Sequence, residues 1–260
     1  MSGAGTFSPS ATEPELSLSR PIITLAATAA MLWAAAASAQ GMENTRSVTF
    51  AVGTGLSLGG NVITEAVGRI NGTPTVFVEQ GYGNHFSDAL RLRVTGNLGL
   101  DFNKEAFVTF AYNKMNATER ITGSVGGYPL YTRFSNTSAL DLEGGLRYYF
   151  LPEGPTRVYV AGVAGIRFQD RIGATIRVLE VGLTLEDLDY FEDSTLFVFG
   201  GDAGISRDLS DTIAIGAEIG LRYQPKFSPA PVLPGTGLEG INDTSSRVGL
   251  PLSAFLTWRF

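Results

Sequence analysis

The one histidine of the chain offers the most direct route to catalysis. His85 lies two residues before Ser87, and on a β-strand this spacing places both side chains on one face. A carboxylate such as Glu79 or Asp101 would then orient the imidazole, and the imidazole would activate the serine hydroxyl. The surrounding segment, residues 84–88, is also typical of a polar turn or strand end. We expect this simpler role, and therefore no enzyme.

The composition argues against several other kinds of site. The chain has no cysteine, which excludes a thiolate nucleophile and a disulfide framework. One histidine, with no run of carboxylates at calcium-loop spacing, predicts no metal site, and we expect no cofactor. The formal net charge of −6 argues against nucleic acid as a partner.

The elements that position the polar residues are best seen at the C-terminal end. Residues 247–260 alternate with a period of two, which predicts a β-strand. One face of this strand is apolar and ends in aromatic residues, as expected of a strand that crosses a bilayer. That face carries Val248, Leu250, Leu252, Ala254, Leu256, Trp258 and Phe260.

The same alternation recurs in further segments along the chain, and the connections between these segments are of two lengths. Further strands are predicted at 90–102, 106–115, 139–150, 157–169, 195–206 and 212–224, with a weaker one at 75–83. Tight connections fall at 102–105, 151–156 and 207–211, and long ones at 116–138, 170–194 and 225–246. Short turns at one end and long loops at the other are typical of an outer-membrane barrel.

The number of strands has two solutions. Counting back from Phe260 predicts eight, beginning at Thr75, but residues 47–58 also alternate, and single-chain bacterial barrels normally have an even number. Either 47–58 is the first strand and 75–83 belongs to an external hairpin, or the barrel has ten strands. The predicted fold is all-β: a closed, antiparallel, up-and-down transmembrane β-barrel, with eight strands favoured and ten possible.

The N-terminal region predicts export. Residues 22–37 form an apolar run that is short for a spanning helix, and Ala37-Ser38-Ala39 supplies an A-x-A cleavage site. We therefore expect residues 1–39 to be a signal peptide with a polar N-terminal extension, and 40–260 to be the barrel domain. A secreted, soluble β-sandwich remains the alternative.

In a membrane barrel the apolar faces point to lipid and the polar faces line the interior. The predicted interior holds acids and arginines in equal number, which favours mutual pairing in a barrel just wide enough for side chains to fill it. A narrow pore with exchanging pairs is the alternative. The predicted ionic network comprises Glu79, Arg91, Arg93, Asp101, Asp141, Glu143, Arg147, Arg157, Arg167, Asp202, Glu218 and Arg222.

Taken together, these features resemble the small outer-membrane β-barrel superfamily of Gram-negative bacteria, the OmpA/OmpX-like barrels. The resemblance covers 47–260 and rests on the signal, on units such as GISRDLSDTIAIGAEIGLRY, and on the terminal WRF. It implies a monomer in the cell outer membrane, in contact with lipid and lipopolysaccharide. It also implies that the barrel-assembly machinery reads Trp258 and Phe260, although Phe255 stands where that signal commonly has glycine.

Three functions are compatible with such a barrel. The favoured one is a structural or surface-interaction role with at most a narrow pore, and the alternative is a general or small-solute porin. The third is a lipid-modifying enzyme, because His85 and Ser87 resemble the H-x-S pair of the outer-membrane lipid A deacylases.

Overall fold

The computed structural model describes residues 45–150 and 154–260, so the predicted signal peptide, 1–39, lies outside the described residues. The first strands are β1 (Arg46–Leu58), β2 (Asn61–Ile63), β3 (Ala66–Ile70), β4 (Thr73–Phe77), β5 (Gln80–Gly81), β6 (Phe86–Asp101), β7 (Lys104–Ala117), β8 (Arg120–Val125) and β9 (Tyr128–Phe134). They are followed by β10 (Thr137–Tyr149), β11 (Thr156–Gln169), β12 (Ile172–Val178), β13 (Leu183–Phe191), β14 (Ser194–Asp208), β15 (Ile213–Gln224) and β16 (Arg247–Arg259). A short helix, α1 (Tyr82–His85), precedes β6, and a 3-10 turn (Leu179–Val181) joins β12 to β13.

Eight long strands close into a barrel in the order β1-β6-β7-β10-β11-β14-β15-β16. Every neighbouring pair is antiparallel, and β16 returns to β1 in a register from Ser47↔Arg259 to Leu58↔Val248. The shortest of these eight wall strands, β15, has 12 residues, which exceeds the ~9–11 that a tilted strand needs to cross a bilayer. The predicted class, a closed up-and-down barrel of eight strands, is confirmed.

The count of eight holds, but the barrel does not begin at Thr75 as predicted. The strand predicted from Thr75 is not in the wall: β4 has five residues, too few to cross a bilayer, and it lies in a separate sheet. The first wall strand is β1, with 13 residues, and it pairs with both β16 and β6. The alternative that placed 47–58 first and 75–83 in an external hairpin is therefore the correct one.

The connections at the two ends of the barrel differ in size. Residues 102–103 and 209–212 make tight turns at one end, where the last strand also ends. The four connections at the other end, residues 59–85, 118–136, 170–193 and 225–246, fold together, and we call them the external domain. Within the described residues, no helix is long and apolar enough to span a membrane.

The external domain is built on a six-stranded antiparallel sheet in the order β13-β12-β9-β8-β4-β3. Two of its hairpins turn at dipeptides that tolerate positive φ, Asn71-Gly72 (49° and 78°) and Gly126-Gly127 (58° and 88°). Such turns match the twist of the strands they join, which explains why these hairpins form locally. The last of the four connections, residues 225–246, is mostly irregular and covers one face of the sheet.

A hydrophobic core lies between this sheet and its covering loop. Val62 and Ile63 reach it from β2, and Phe227, Leu238 and Ile241 from the loop. The sheet contributes the largest share, all of it buried: Ile70, Phe77, Val125, Leu130, Phe134, Ile172, Ala174, Ile176, Val178, Tyr190 and Phe191. The external loops therefore form one folded unit with an apolar interior.

Candidate functional site

The barrel interior is filled by ion pairs, and Arg222 on β15 is at the centre of the upper group. Only 2% of its surface is exposed, and its guanidinium binds two carboxylates. Its Nε lies 3.0 Å from an oxygen of Glu143, and its Nη1 lies 2.6 Å from an oxygen of Asp202. Gly220 leaves the necessary space, because a Cβ there would lie 2.2 Å from the Asp202 carboxylate.

The strand register completes this upper group. Asp141 and Arg167 face each other directly across β10 and β11, and their side chains pair at 2.7 Å. Arg91, on β6 and separated from β10 by β7 alone, lies 3.4 Å from both Asp141 and Glu143. Three arginines and three carboxylates thus neutralise one another across the barrel, and every guanidinium fork engages at least one acid.

The lower group is organised around Arg147 and Glu218. Arg93 pairs with Glu218, and Arg147 pairs with Glu105. The hydroxyl of Tyr159 donates to Glu218 at 2.7 Å, while the guanidinium of Arg147 stacks over the Tyr159 ring at 4.5 Å. The ring and the carboxylates hold the Arg147 guanidinium from several sides, so it has little freedom to move.

At the end of the barrel with the tight turns, which we call the periplasmic end because short turns face the periplasm in such barrels, two arginines share one carboxylate. Arg157 and Arg259 lie 3.0 and 2.5 Å from the two oxygens of Asp208. Beside them is a cavity of about 30 Å³, large enough for one or two water molecules. Its small volume shows how fully side chains occupy this end of the barrel.

Two of the twelve predicted network residues lie outside the interior. Glu79 is exposed and falls between β4 and β5, because the segment that carries it belongs to the external domain and not to the wall. Asp101 is exposed at the turn after β6, where it faces Lys104 at 3.7 Å. The structure places the other ten in the interior, in the two groups described above and, for Arg157, at the periplasmic end.

Four charged interior residues are missing from the predicted network. Glu105, Asp208, Arg247 and Arg259 lie at strand ends, where alternation alone does not separate a turn residue from a lumen residue. The sequence still contains an indication, because each of them lies an even number of residues from another inward-facing side chain. On β7, for example, Glu105 lies two residues before the inward-facing Phe107.

Arg247 links the interior to the external domain. It is buried, with 3% of its surface exposed, and its guanidinium lies 4.6 Å from the ring centroid of Tyr82 and 4.1 Å from that of Phe227. Among the described residues it has no carboxylate partner, and its Nε and Nη2 make no hydrogen bond. Cation–π contacts with two rings offset part of the cost of this buried charge.

Aromatic side chains cover the external end of the lumen. Tyr82 stacks on Phe86 at 4.7 Å, and its hydroxyl lies 2.8 Å from the sulfur of Met115, an inward-facing residue of β7. Phe134 stacks on Phe86 at 5.5 Å, and Phe227 joins Tyr82 at 6.0 Å. The hydrophobic core of the external domain is thereby continuous with the top of the barrel and closes it.

His85 and Ser87 do not form the shared-face pair that the catalytic alternative requires. His85 ends α1 and is fully buried, whereas Ser87 lies on β6 and is exposed, so the two side chains do not share a face. Neither ring nitrogen of His85 has a hydrogen-bond partner within the described residues, and the Ser87 hydroxyl donates to the carbonyl of Asn116 at 3.3 Å. Burial lowers the pKa of His85 to about 4.

No cluster of three or more metal-ligating side chains occurs in residues 45–150 and 154–260. The C-terminal aromatics lie at the periplasmic end: Trp258 and Phe260 are outward-facing and exposed, with ring centroids 6.0 Å apart.

The outer surface of the barrel is the inverse of its interior. Large apolar side chains on every wall strand are exposed, among them Phe50, Leu92, Val108, Leu146, Phe168, Phe199, Ile219 and Leu252. A closed barrel with an apolar belt outside and ion pairs inside is built for lipid, because closure satisfies every backbone group without water. The molecule is an outer-membrane β-barrel of the small, eight-stranded kind.

No protein-family model matches the chain, and no curated protein matches it significantly. Among solved structures, the chain is similar to Neisserial surface protein A at 11% identity and a TM-score of 0.43, covering 85% of this chain and 100% of that one. It is also similar to OprG from Pseudomonas aeruginosa (9%, TM-score 0.43, 84% and 97%) and to Ail of Yersinia pestis (10%, 0.39, 84% and 100%). Likenesses at this level say nothing of what this chain binds.

Proposed function

We propose that this protein is a non-conducting outer-membrane barrel that displays a folded binding domain at the cell surface. The observation that carries the proposal is the filled lumen. Ion pairs between strands that are not neighbours in the wall, such as Arg91 with Glu143 and Arg93 with Glu218, fill the interior, and the aromatic cluster of Tyr82, Phe86 and Phe134 lies above them.

The same observation weighs against a porin. A conducting lumen needs a water-filled path, and charged rings of one sign would give it selectivity. Here the charges of the upper group are balanced and buried, and breaking such a pair to admit a solute would be costly. The size of the external domain also fits a role outside the membrane, since 18 of the 20 buried residues in this hydrophobic core belong to it, and the other two, Phe86 and Leu196, come from the wall.

The environment of His85 does not support catalysis. A general base must reach the hydroxyl that it activates, yet His85 is buried against the ring of Phe134 while Ser87 is exposed. We therefore propose no enzymatic activity. The outward apolar belt supports contact with outer-membrane lipid and lipopolysaccharide, and exposed Trp258 and Phe260 support recognition by the barrel-assembly machinery. We propose that the barrel acts as a monomer.

Single-channel recording tests the proposal. Protein extracted from the membranes of expressing cells is inserted into a planar bilayer, with heat-dependent gel mobility as proof that the barrel is folded. We expect no conductance steps. A matched variant in which residues 118–136 are replaced by a short Gly-Ser linker removes part of the covering domain and keeps the ion pairs, and we expect it to remain silent as well.

Stable, ohmic steps from the intact protein would overturn the proposal and favour the porin. Steps from the linker variant alone would show that the external domain, and not the ionic interior, closes the barrel.

A further inference from the structure

A groove on the external domain is the most site-like feature outside the barrel. It has a volume of about 650 Å³, within the ~300–1,000 Å³ range of small-molecule sites, and opens to solvent. We call it the external groove and define it by its lining residues, Gln80, Gly83, Asn84, Glu119, Arg120, Ile121 and Tyr131.

Two structural elements build the external groove. Gln80 and Asn84 come from β5 and α1, and Ile121 and Tyr131 face each other across β8 and β9. Arg120 joins the two sides, because its Nε donates to the carbonyl of Asn84 at 3.2 Å. The walls are therefore connected directly, and the groove is held in shape without a ligand.

The polar groups of the groove are positioned and only partly used. Arg177 lies on β12, directly opposite Tyr131 of β9. It binds one oxygen of Glu119 at 3.0 Å and so orients this carboxylate. Among the described residues, the Nη groups of Arg120, the hydroxyl of Tyr131 and the second oxygen of Glu119 have no hydrogen-bond partner. Donors and acceptors are thus offered side by side on a fixed scaffold.

This combination suits a sugar. A pyranose ring presents adjacent hydroxyls, each of them a donor and an acceptor, and planar amide, carboxylate and guanidinium groups can engage two of them at once. The same ring has an apolar face of C–H groups, which packs on aromatic and aliphatic side chains such as Tyr131 and Ile121. Gly83 has no side chain to obstruct an approach to the backbone.

We propose that the external groove binds an oligosaccharide. Phosphate-rich ligands fit it less well, because Arg120 is the one cation among the lining residues and the carboxylate of Glu119 stands beside it. A protein partner would need a larger apolar area than Ile121 and Tyr131 supply. The inference rests on the proposed surface-binding function and names the site and the ligand class.

Binding to purified oligosaccharides tests the assignment. The full-length protein in detergent micelles is applied to a printed array of bacterial and mammalian oligosaccharides, together with the core oligosaccharide released from lipopolysaccharide, and the strongest probe is titrated by calorimetry. We expect binding that Tyr131→Ala and Arg120→Ala each weaken at least about tenfold, through loss of the stacking ring or of the charge-assisted hydrogen bonds. Tyr131→Phe, which keeps the ring, should have the smaller effect.

Tyr128→Ala is the matched control, since Tyr128 is an exposed tyrosine on the same strand that does not line the groove. Its binding should equal that of the wild type. Amide hydrogen exchange of β9 and β12 in every variant establishes that the sheet is folded.

Two results would overturn the assignment. One is the absence of any bound oligosaccharide, and the other is binding that is unchanged in both Tyr131→Ala and Arg120→Ala. In either case silence in the planar bilayer would leave the surface-binding role standing without this site. Conductance by the intact protein, by contrast, would reject the surface-binding role itself.

Discussion

The barrel and the external domain use the same alternation of side chains with opposite polarity. In the wall, Leu146 on β10 points outward with 62% of its surface exposed, and Arg147 beside it is buried. In the external sheet, Leu130 on β9 is fully buried and Ile121 on the neighbouring β8 is 54% exposed. One region is folded for lipid outside and ion pairs inside, and the other for water outside and an apolar core.

This contrast shows that a period of two defines a strand without defining which face is solvated. Each region places its apolar face against apolar surroundings. For the wall these surroundings are the lipid, and for the external sheet they are the side chains of the covering loop. The ion pairs of the lumen are possible because closure of the wall brings opposite charges within reach. Each region should therefore respond differently to the same kind of substitution.

The largest effect is expected from breaking the central ion pair of the barrel. Arg222→Met leaves Glu143 and Asp202 buried with fewer partners, and we expect it to lower the free energy of unfolding by about 3–5 kcal/mol. Urea unfolding in lipid vesicles measures this. Arg171→Met, which removes an exposed pair with Asp189 in the external domain, is the control and should change stability by no more than about 0.5 kcal/mol. Equal effects would refute the contrast.

The next effect concerns the core of the external domain. Leu130→Ala creates a cavity and should destabilise this domain by about 2–5 kcal/mol, while heat-dependent gel mobility of the barrel stays the same. Hydrogen exchange of β9 and β12 reports the change. The control, Ile121→Ala, removes an exposed side chain and should be neutral within about 0.5 kcal/mol. Loss of the barrel together with the domain would show that the two regions fold as a single unit.

A charge on the lipid-facing surface should have an effect that depends on depth. Ile219, at mid-height on β15, is exposed to lipid, and Ile219→Arg should cost about 2–4 kcal/mol. Ile213→Arg, at the periplasmic end of the same strand, should cost no more than about 1 kcal/mol. Unfolding from vesicles compares the two. If both variants matched the wild type, lipid would not surround this face.

The smallest effect is expected from pH, through His85. Its imidazole is neutral in the fold, and burial lowers its pKa from 6.5 to about 4. As the pH falls from about 6.5 to 4, the unfolded domain binds a proton that the folded domain does not. Stability that is complete above pH 6.5 is therefore lost, by up to about 3 kcal/mol.

Hydrogen exchange of the external domain between pH 7.5 and 4.5 measures this loss. Because neither nitrogen of His85 has a hydrogen-bond partner among the described residues, His85→Leu should keep the fold and remove the dependence. If the stability of His85→Leu still depended on pH in this range, another group would be responsible for the titration.

Much of the barrel was predictable because its determinants are local. The alternation in β6, β10, β11, β14, β15 and β16, together with the tight turns at one end of the barrel, identifies both the wall strands and their inward faces. Ten of the predicted lumen charges lie inside for this reason. His85 and Ser87 do not share a face because a four-residue helix, α1, interrupts the alternation, and a helix this short leaves little trace in the sequence.

By itself, the sequence determined the strands, the two faces of each strand and the excess of apolar residues on one face, since side-chain alternation follows from backbone geometry within a few residues. Only the tertiary structure decided that β1 and not β4 closes the wall, that four loops share one core, and which arginine meets which carboxylate. These features depend on contacts between residues far apart in the chain, such as Arg222 with Glu143 and Arg247 with Tyr82. No local pattern specifies a partner at that distance.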